Sequence, residues 1–162
     1  MKLLVCSDSH GAWRNLVSAV EAEAPDLLLH LGDGARDLEH VRERFPALRI
    51  ESVRGNCDDD SAAPLLRVFP VEGRTVFMTH GHEYNVKWDR ELMRLRYSAL
   101  ERDAALVCFG HTHRALLEQS LGMTVLNPGS IGYGAAPSYA VVTLENGTAA
   151  AELKRLEAKG RR

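Results

Sequence analysis

Short apolar runs, each broken by a cluster of Gly, Asp, Asn or His, set the rhythm of this chain. Leu3–Cys6 and Leu27–Leu31 are apolar almost throughout, the pattern of strands buried on both faces. Ser7-Asp8-Ser9-His10-Gly11 breaks the first run and Gly32-Asp33-Gly34 the second. Between them Trp13–Glu23 puts Leu16, Val17 and Val20 on one side of a predicted helix, and Pro25-Asp26 ends it. A second helix is predicted from about Arg36 to Arg44. A third strand, Leu48–Val53, is broken by Arg54-Gly55-Asn56-Cys57-Asp58. Strand, loop and helix repeated in this order predict a parallel sheet with crossover helices.

The second half changes character. Leu66–Val71 and Thr75–Thr79 flank Glu72-Gly73-Arg74 and predict a hairpin. His80-Gly81-His82 follows it, then an amphipathic helix predicted from about Trp88 to Glu101, with Leu92, Leu95 and Leu100 spaced for a core face. Ala105–Cys108 is the next strand and leads into Phe109-Gly110-His111-Thr112-His113. Ala115–Gln119, Thr124–Leu126 and Ser138–Leu144 predict three more. Glu145-Asn146-Gly147 reads as a turn into a last strand, Thr148–Leu156. The front is thus α/β and the back richer in antiparallel strands, so two sheets packed face to face with helices outside are expected. No repeat, linker or low-complexity segment interrupts the 162 residues, which predict a single domain over residues 1–162.

Composition narrows the partners. A net charge of −2 gives no global reason to expect long nucleic acid or a membrane surface. The basic stretch Lys154–Arg162 is short and terminal and is expected to fray. Cys6, Cys57 and Cys108 are odd in number and lack disulfide spacing, which points to a reducing, cytoplasmic setting. Cys6 and Cys108 lie in apolar runs and are expected in the core. No apolar run reaches signal or transmembrane length. The oligomeric state is open, with a homo-oligomer compatible with the sequence.

The chemistry lies at the strand ends. Asp8 and His10 follow the first strand, Asp33 the second and Asn56 the third; His80 follows Thr75–Thr79, and His111 and His113 follow Ala105–Cys108. Each has an ordinary local reading: Asp8 as a helix cap, Asp33 and Asn56 as turn residues, the histidines as solvated loop residues. In parallel sheets, however, the carboxyl ends of strands share one edge, where sites form. Two Asp, one Asn and four His delivered to one edge form a mixed oxygen and nitrogen donor set that suits Mn, Fe, Zn or Co better than Ca or Mg. Seven ligands exceed one ion and suit two divalent ions about 3.5–4 Å apart, bridged by a carboxylate. Four positive charges against two carboxylates leave room for a hydroxide and a phosphate anion.

Asp8-Ser9-His10, Gly32-Asp33, Gly55-Asn56, His80 and Gly110-His111-Thr112-His113, in this order across most of the chain, resemble the calcineurin-like metallophosphoesterase signature. Gly55-Asn56-Cys57-Asp58, the stretch His80–Lys87 and Asn127-Pro128-Gly129-Ser130 resemble the small bacterial YfcE-type phosphodiesterases. The resemblance implies a four-layer αββα sandwich of two mixed sheets flanked by helices, and metal-dependent hydrolysis of small phosphodiesters. It implies two divalent transition-metal ions, manganese foremost, with Fe, Zn, Ni or Co as alternatives. Asp8, His10, Asp33 and His113 would hold one ion, and Asp33, Asn56, His80 and His111 the other, with Asp33 bridging. His10 and Asp33 also count as catalytic on this basis. Many members of the wider superfamily carry Gly-Asn-His, whose His assists the leaving group; here Cys57 stands at that position. His82 or a solvent proton would substitute, and a Cys57 nucleophile is the weaker option beside a metal hydroxide. Without a general acid, aryl esters should react much faster than alkyl esters.

The alternatives sharing these residues are a phosphomonoesterase or nucleotide phosphatase, and a binding scaffold like the retromer subunit of this fold. Arg54 and Lys87 are candidates for phosphate contact beside Asn56, with solvated surface charge as the ordinary reading. Tyr84 is expected to stack on substrate or to pack. Asn127 and Ser130 are explained by turn chemistry, although the resemblance places their loop at the border of the site. His30 is expected to be a hydrogen-bonded core residue and His40 an exposed helical one.

Overall fold

Strand β1, Lys2–Cys6, shows why the opening run is apolar throughout. Leu3 and Val5 face the second sheet, whereas Leu4 and Cys6 face helices α1 (Trp13–Glu23) and α2 (Asp37–Arg44). Both faces are dry, so alternation disappears from the sequence. The computed structural model describes residues 1–157. β2 (Leu27–His30) and β3 (Arg49–Ser52) lie parallel to β1 in register Leu3↔Leu27 and Leu27↔Arg49.

The second sheet holds β4 (Leu66–Val71), β5 (Arg74–Thr79), β6 (Leu106–Cys108), β7 (Leu116–Ser120) and β8 (Met123–Asn127) in the order β4-β5-β6-β8-β7. β5, β6 and β8 are parallel, with β4 and β7 antiparallel at the edges. The chain then returns. β9 (Ser138–Glu145) pairs antiparallel with β1 and β10 (Thr148–Arg155) with β9, completing the order β10-β9-β1-β2-β3. Helix α3 (Met93–Leu100) covers the outer face of the second sheet through Leu95 and Ala99 against Phe77, Val107 and Val125. The layers run α1–α2, sheet, sheet, α3, the four-layer sandwich that the resemblance implies.

Two expectations need correction. The helix from Trp88 to Glu101 spans only Met93–Leu100. Asn85 and Leu92 adopt left-handed backbone angles (φ 56 and 53), and the amides of Trp88 and Asp89 turn back onto the Asn85 carbonyl. Trp88 is 82% exposed, so no burial favours extending the helix. Leu100 is also exposed, at 36%; Leu92, Leu95 and Ala99 form the buried face instead. The basic terminus is not frayed at Lys154, which lies in β10 and donates to Glu23 Oε1 at 2.9 Å; residues 158–162 lie outside the described ones. Cys6 and Cys108 are buried as expected, and Cys57 is exposed. Among the described residues no helix is long and apolar enough to cross a membrane.

Candidate metal centre

The carboxyl ends of β1, β2, β3, β5 and β6 meet along one edge of the sandwich, and all seven candidate ligands gather there. Asp8 leaves β1 at φ 56 and His10 follows at φ 43; Asp33 has φ 58, His111 φ 67 and His113 φ 58. Such angles cost non-glycine residues free energy and concentrate where a site over-determines the backbone. Phe109, between β6 and the histidines, is buried. Beyond it the pleat is gone, so His111 and His113 do not share a strand face.

Two donor groups form. Asp8, His10 and His113 offer ligand atoms within 4.8 Å of one another, as do Asp33, His80 and His111. In the first, Asp8 Oδ1 lies 3.0 Å from His113 Nε2 and 3.6 Å from His10 Nε2. In the second, His80 Nε2 lies 3.1 Å from Asn56 Oδ1, 3.2 Å from His111 Nδ1 and 3.3 Å from Asp33 Oδ2. Asp33 Oδ2 also lies 3.7 Å from His10 Nε2, so one oxygen faces both groups. A third group adds Cys57 to His10 and Asp33 within the same 4.8 Å limit.

Nitrogen and oxygen donors converge here in a way that suits a bound cation. The carbonyl of Leu31 accepts from His80 Nδ1 at 2.7 Å, which fixes the tautomer and leaves Nε2 facing Asn56, Asp33 and His111. Acceptors crowded around one point need a positive charge between them. The buried His10 Nε2 has no hydrogen-bond partner. Carboxylate, imidazole and amide donors in this number match a divalent transition ion. Burial pushes the other way, but hydrogen bonding to Asp33 and the charges of Asp8 and Asp33 raise His80 above its ordinary value. Asp33 is held well below the carboxylate range: its burial is outweighed by His80 and by the Cys57 amide, which donates to Oδ1 at 2.8 Å. Burial, His80 and Lys87 pull His111 down to about 4.

Supporting residues fix the loops. Ser7 Oγ donates to Asp8 Oδ2 at 2.5 Å, and the His111 amide to the same oxygen at 3.1 Å. Asp58 accepts from the amides of Asp33, Gly34, Ala35 and Gly55 at 2.7–3.0 Å, joining the loops that carry Asp33 and Asn56. A Cβ on Gly55 would stand 2.0 Å from Asp33 Oδ1, so glycine there is obligatory. Asn127 does more than turn chemistry: fully buried, it donates to Gly110 O and Thr112 Oγ1 at 3.0 and 3.1 Å and so braces the His111–His113 loop. Ser130 Oγ donates to the Asp8 carbonyl at 2.8 Å. His30 is a core residue: its Nδ1 accepts from Gly32 N, its Nε2 meets Ser9 Oγ, and that hydroxyl donates to Asp37. Burial drives its pKa down to about 4.

The remaining candidates differ in their reach. His82 stands beside the second group, its ring 5.4 Å from that of His80 and 6.1 Å from that of His111, with a buried, unpartnered Nδ1. Burial and the nearby charge of His80 lower its pKa. Cys57 is shifted up by burial and by the negative charge of Asp33, which disfavours a thiolate nucleophile. The charges of Lys87 and Arg54 contribute to the lowered pKa of His111 and His82 respectively. Tyr84 packs instead: its hydroxyl meets Ser98 Oγ at 3.2 Å and its ring meets Phe77 edge-on. His40 is exposed and stacks on Trp13. Tyr133, unmarked in the sequence because it lies in a Gly-rich loop with no periodicity, has its ring centroid 4.8 Å from that of His10 and 5.5 Å from that of His113. A groove of about 840 Å³ opens beside the centre, lined by His10, Gly11, Asp33, Asp37, Cys57 and Ser61 among others.

The model of the calcineurin-like phosphoesterase superfamily domain matches residues 1–147. The chain belongs to this superfamily. Its class of chemistry is therefore phosphoester hydrolysis. It is 36% identical over 156 residues to a probable metallophosphoesterase, YsnB, of Bacillus subtilis, covering 92% of this chain and 88% of that one. It is 31% identical to the phosphodiesterase YfcE of Escherichia coli K12, with 81% and 79% covered. A predicted phosphoesterase from Streptococcus pneumoniae superposes with a TM-score of 0.79 at 26% identity, covering 95% of this chain and 88% of that chain. A single mutant of Vps29 from Entamoeba histolytica reaches 0.74 at 19% identity, with 97% and 100% covered, a likeness of fold alone.

Proposed function

We propose that this superfamily member is a phosphodiesterase with a two-ion centre: Asp8, His10, Asp33 and His113 around one ion, Asp33, Asn56, His80 and His111 around the other. The observation that carries this reading is Asp33 Oδ2, which faces His10 at 3.7 Å and His80 at 3.3 Å and so stands between the two donor groups. Divalent ions held there would supply Lewis acidity toward phosphoryl oxygens and a water more acidic than bulk. The Leu31 carbonyl and the Ser7 hydroxyl orient the donors before any ion arrives, which limits reorganisation on binding. Asn56, Arg54 and Lys87 would hold the phosphate, a reading supported by the influence of the two cations on His82 and His111. His82, its pKa lowered by burial and by His80, would offer a hydrogen bond to a departing oxygen more readily than a proton. Good leaving groups therefore suit this site, and aryl diesters should outrun alkyl ones. All seven donor positions carry competent side chains, which favours hydrolysis over a binding scaffold. The free cysteines support a reducing, cytoplasmic setting.

The test is Asp33→Asn together with metal analysis and a panel of diesters and monoesters under added Mn, Ni, Co or Zn. Asp33→Asn is expected to lose both bound metal and hydrolysis of bis(p-nitrophenyl) phosphate. Retained activity would remove the bridging role, and faster turnover of monoesters would make the protein a phosphatase.

A further inference from the structure

Residues Ile131 to Pro137 form a loop built against the Asp8–His10 segment. The Ile131 amide donates to Ser7 O at 3.1 Å. Ser130 Oγ, already bonded to the Asp8 carbonyl, accepts from the amides of Gly132 at 3.1 Å and Tyr133 at 2.8 Å. The Ser138 amide closes the base of the loop on Ser130 O at 2.9 Å. A Cβ at Gly132 would stand 2.2 Å from the Ser9 carbonyl, so only glycine lets the backbone pass this close. The effect is to fix the backbone of Tyr133 at the rim of the first donor group. Its ring lies at an interplanar angle of 17° to His113 and 52° to His10.

The ring is 55% exposed and belongs to none of the three core clusters. An aromatic side chain on a held backbone, half-exposed beside the proposed phosphate-binding centre, presents a flat π surface to whatever alcohol the phosphate carries. We propose that Tyr133 is a stacking wall that selects phosphoesters bearing a planar aromatic substituent, such as a nucleoside base or an aryl ring, at the first donor group. The inference rests on the reading that phosphate binds at this centre. The contact uses the ring face, so the hydroxyl is dispensable.

Calorimetric titration of the manganese-loaded protein with thymidine 5′-monophosphate and with methyl phosphate tests it by binding rather than by activity. Wild type is expected to bind the nucleotide about tenfold more tightly than methyl phosphate, the order of one base–aromatic stack. Tyr133→Ala should erase that preference while leaving methyl phosphate within twofold, and Tyr133→Phe should keep it. Equal affinities in wild type, or an equal loss for both ligands in Tyr133→Ala, would reduce Tyr133 to a prop for His113 and overturn the proposal, as would failure of both phosphates to bind. Binding with the expected preference but no hydrolysis of any diester would leave the stacking wall standing and overturn the phosphodiesterase reading.

Discussion

A single carboxylate can organise a site that it does not enter. Asp58 accepts four backbone amides, and those amides belong to the loops bearing Asp33 and Asn56. Asp58→Ala strands these donors. It is expected to cost about 2–4 kcal/mol in urea unfolding and to weaken metal binding by roughly 10–100-fold. Asp58→Asn keeps one acceptor oxygen and should recover part of both losses; an alanine variant with wild-type unfolding would disprove the clamp. Cys57 obeys the same local electrostatics with the opposite outcome. Burial and Asp33 hold its proton on, so alkylation of the chelated protein by iodoacetamide at neutral pH should run slower than that of free cysteine. Asp33→Asn removes the negative charge and should speed the reaction. Sequence spacing singles out the candidate donors, because they sit at strand ends. It gave Asp58 no role, because an acid that binds only amides looks like any turn residue.

At the level of elements, one polar cluster ties α1 to the far edge of the first sheet. Glu23, 8% exposed, accepts from the Tyr139 hydroxyl at 2.8 Å and Lys154 Nζ at 2.9 Å, with Lys2 Nζ 3.7 Å away. Burial raises its pKa, but the bonds from Lys154 and Tyr139 prevail and hold it below its ordinary value. The folded state thus binds the proton less readily than the unfolded one. The stabilisation is complete above the unfolded pKa of about 4.3 and fades as pH falls through the lower folded value. Glu23→Gln should lose about 1–2 kcal/mol at pH 7 and converge with wild type in strong acid, read by denaturant unfolding at several pH values. A constant gap at all pH values would assign the loss to packing. Lys154 was unreadable here because charge runs near a terminus resemble tails, whereas its partner lies 131 residues away. The start of α3 was lost for a related reason. The spacing of Leu92, Leu95 and Leu100 satisfies a helix, but the left-handed turns at Asn85 and Leu92 depend on tertiary packing.

For the molecule as a whole, the decisive feature is that the donors come from both sheets. Asp8, His10, Asp33 and Asn56 follow strands of the first, and His80, His111 and His113 strands of the second. The site was legible in sequence because every parallel strand ends at the same edge; Tyr133 was not, since its loop is placed by Ser130 and Gly132 rather than by a strand. Ions held between these donors would cross-link the two sheets. Mass action then predicts a stabilisation of about 2.7 kcal/mol per site at a hundredfold excess of metal over its dissociation constant, on the order of a 5–10 °C rise in unfolding temperature for a domain of this size. Chelation should reverse it, and Asp33→Asn should abolish most of it. Hydrogen exchange locates the effect: amides of the loops after β1, β2, β5 and β6 should gain protection together when manganese is added, while α3, on the outer face of the second sheet, stays unchanged. Protection confined to the loops of one sheet would mean that the metal sits on that sheet alone, and the cross-link, with the shared role of Asp33, would fall.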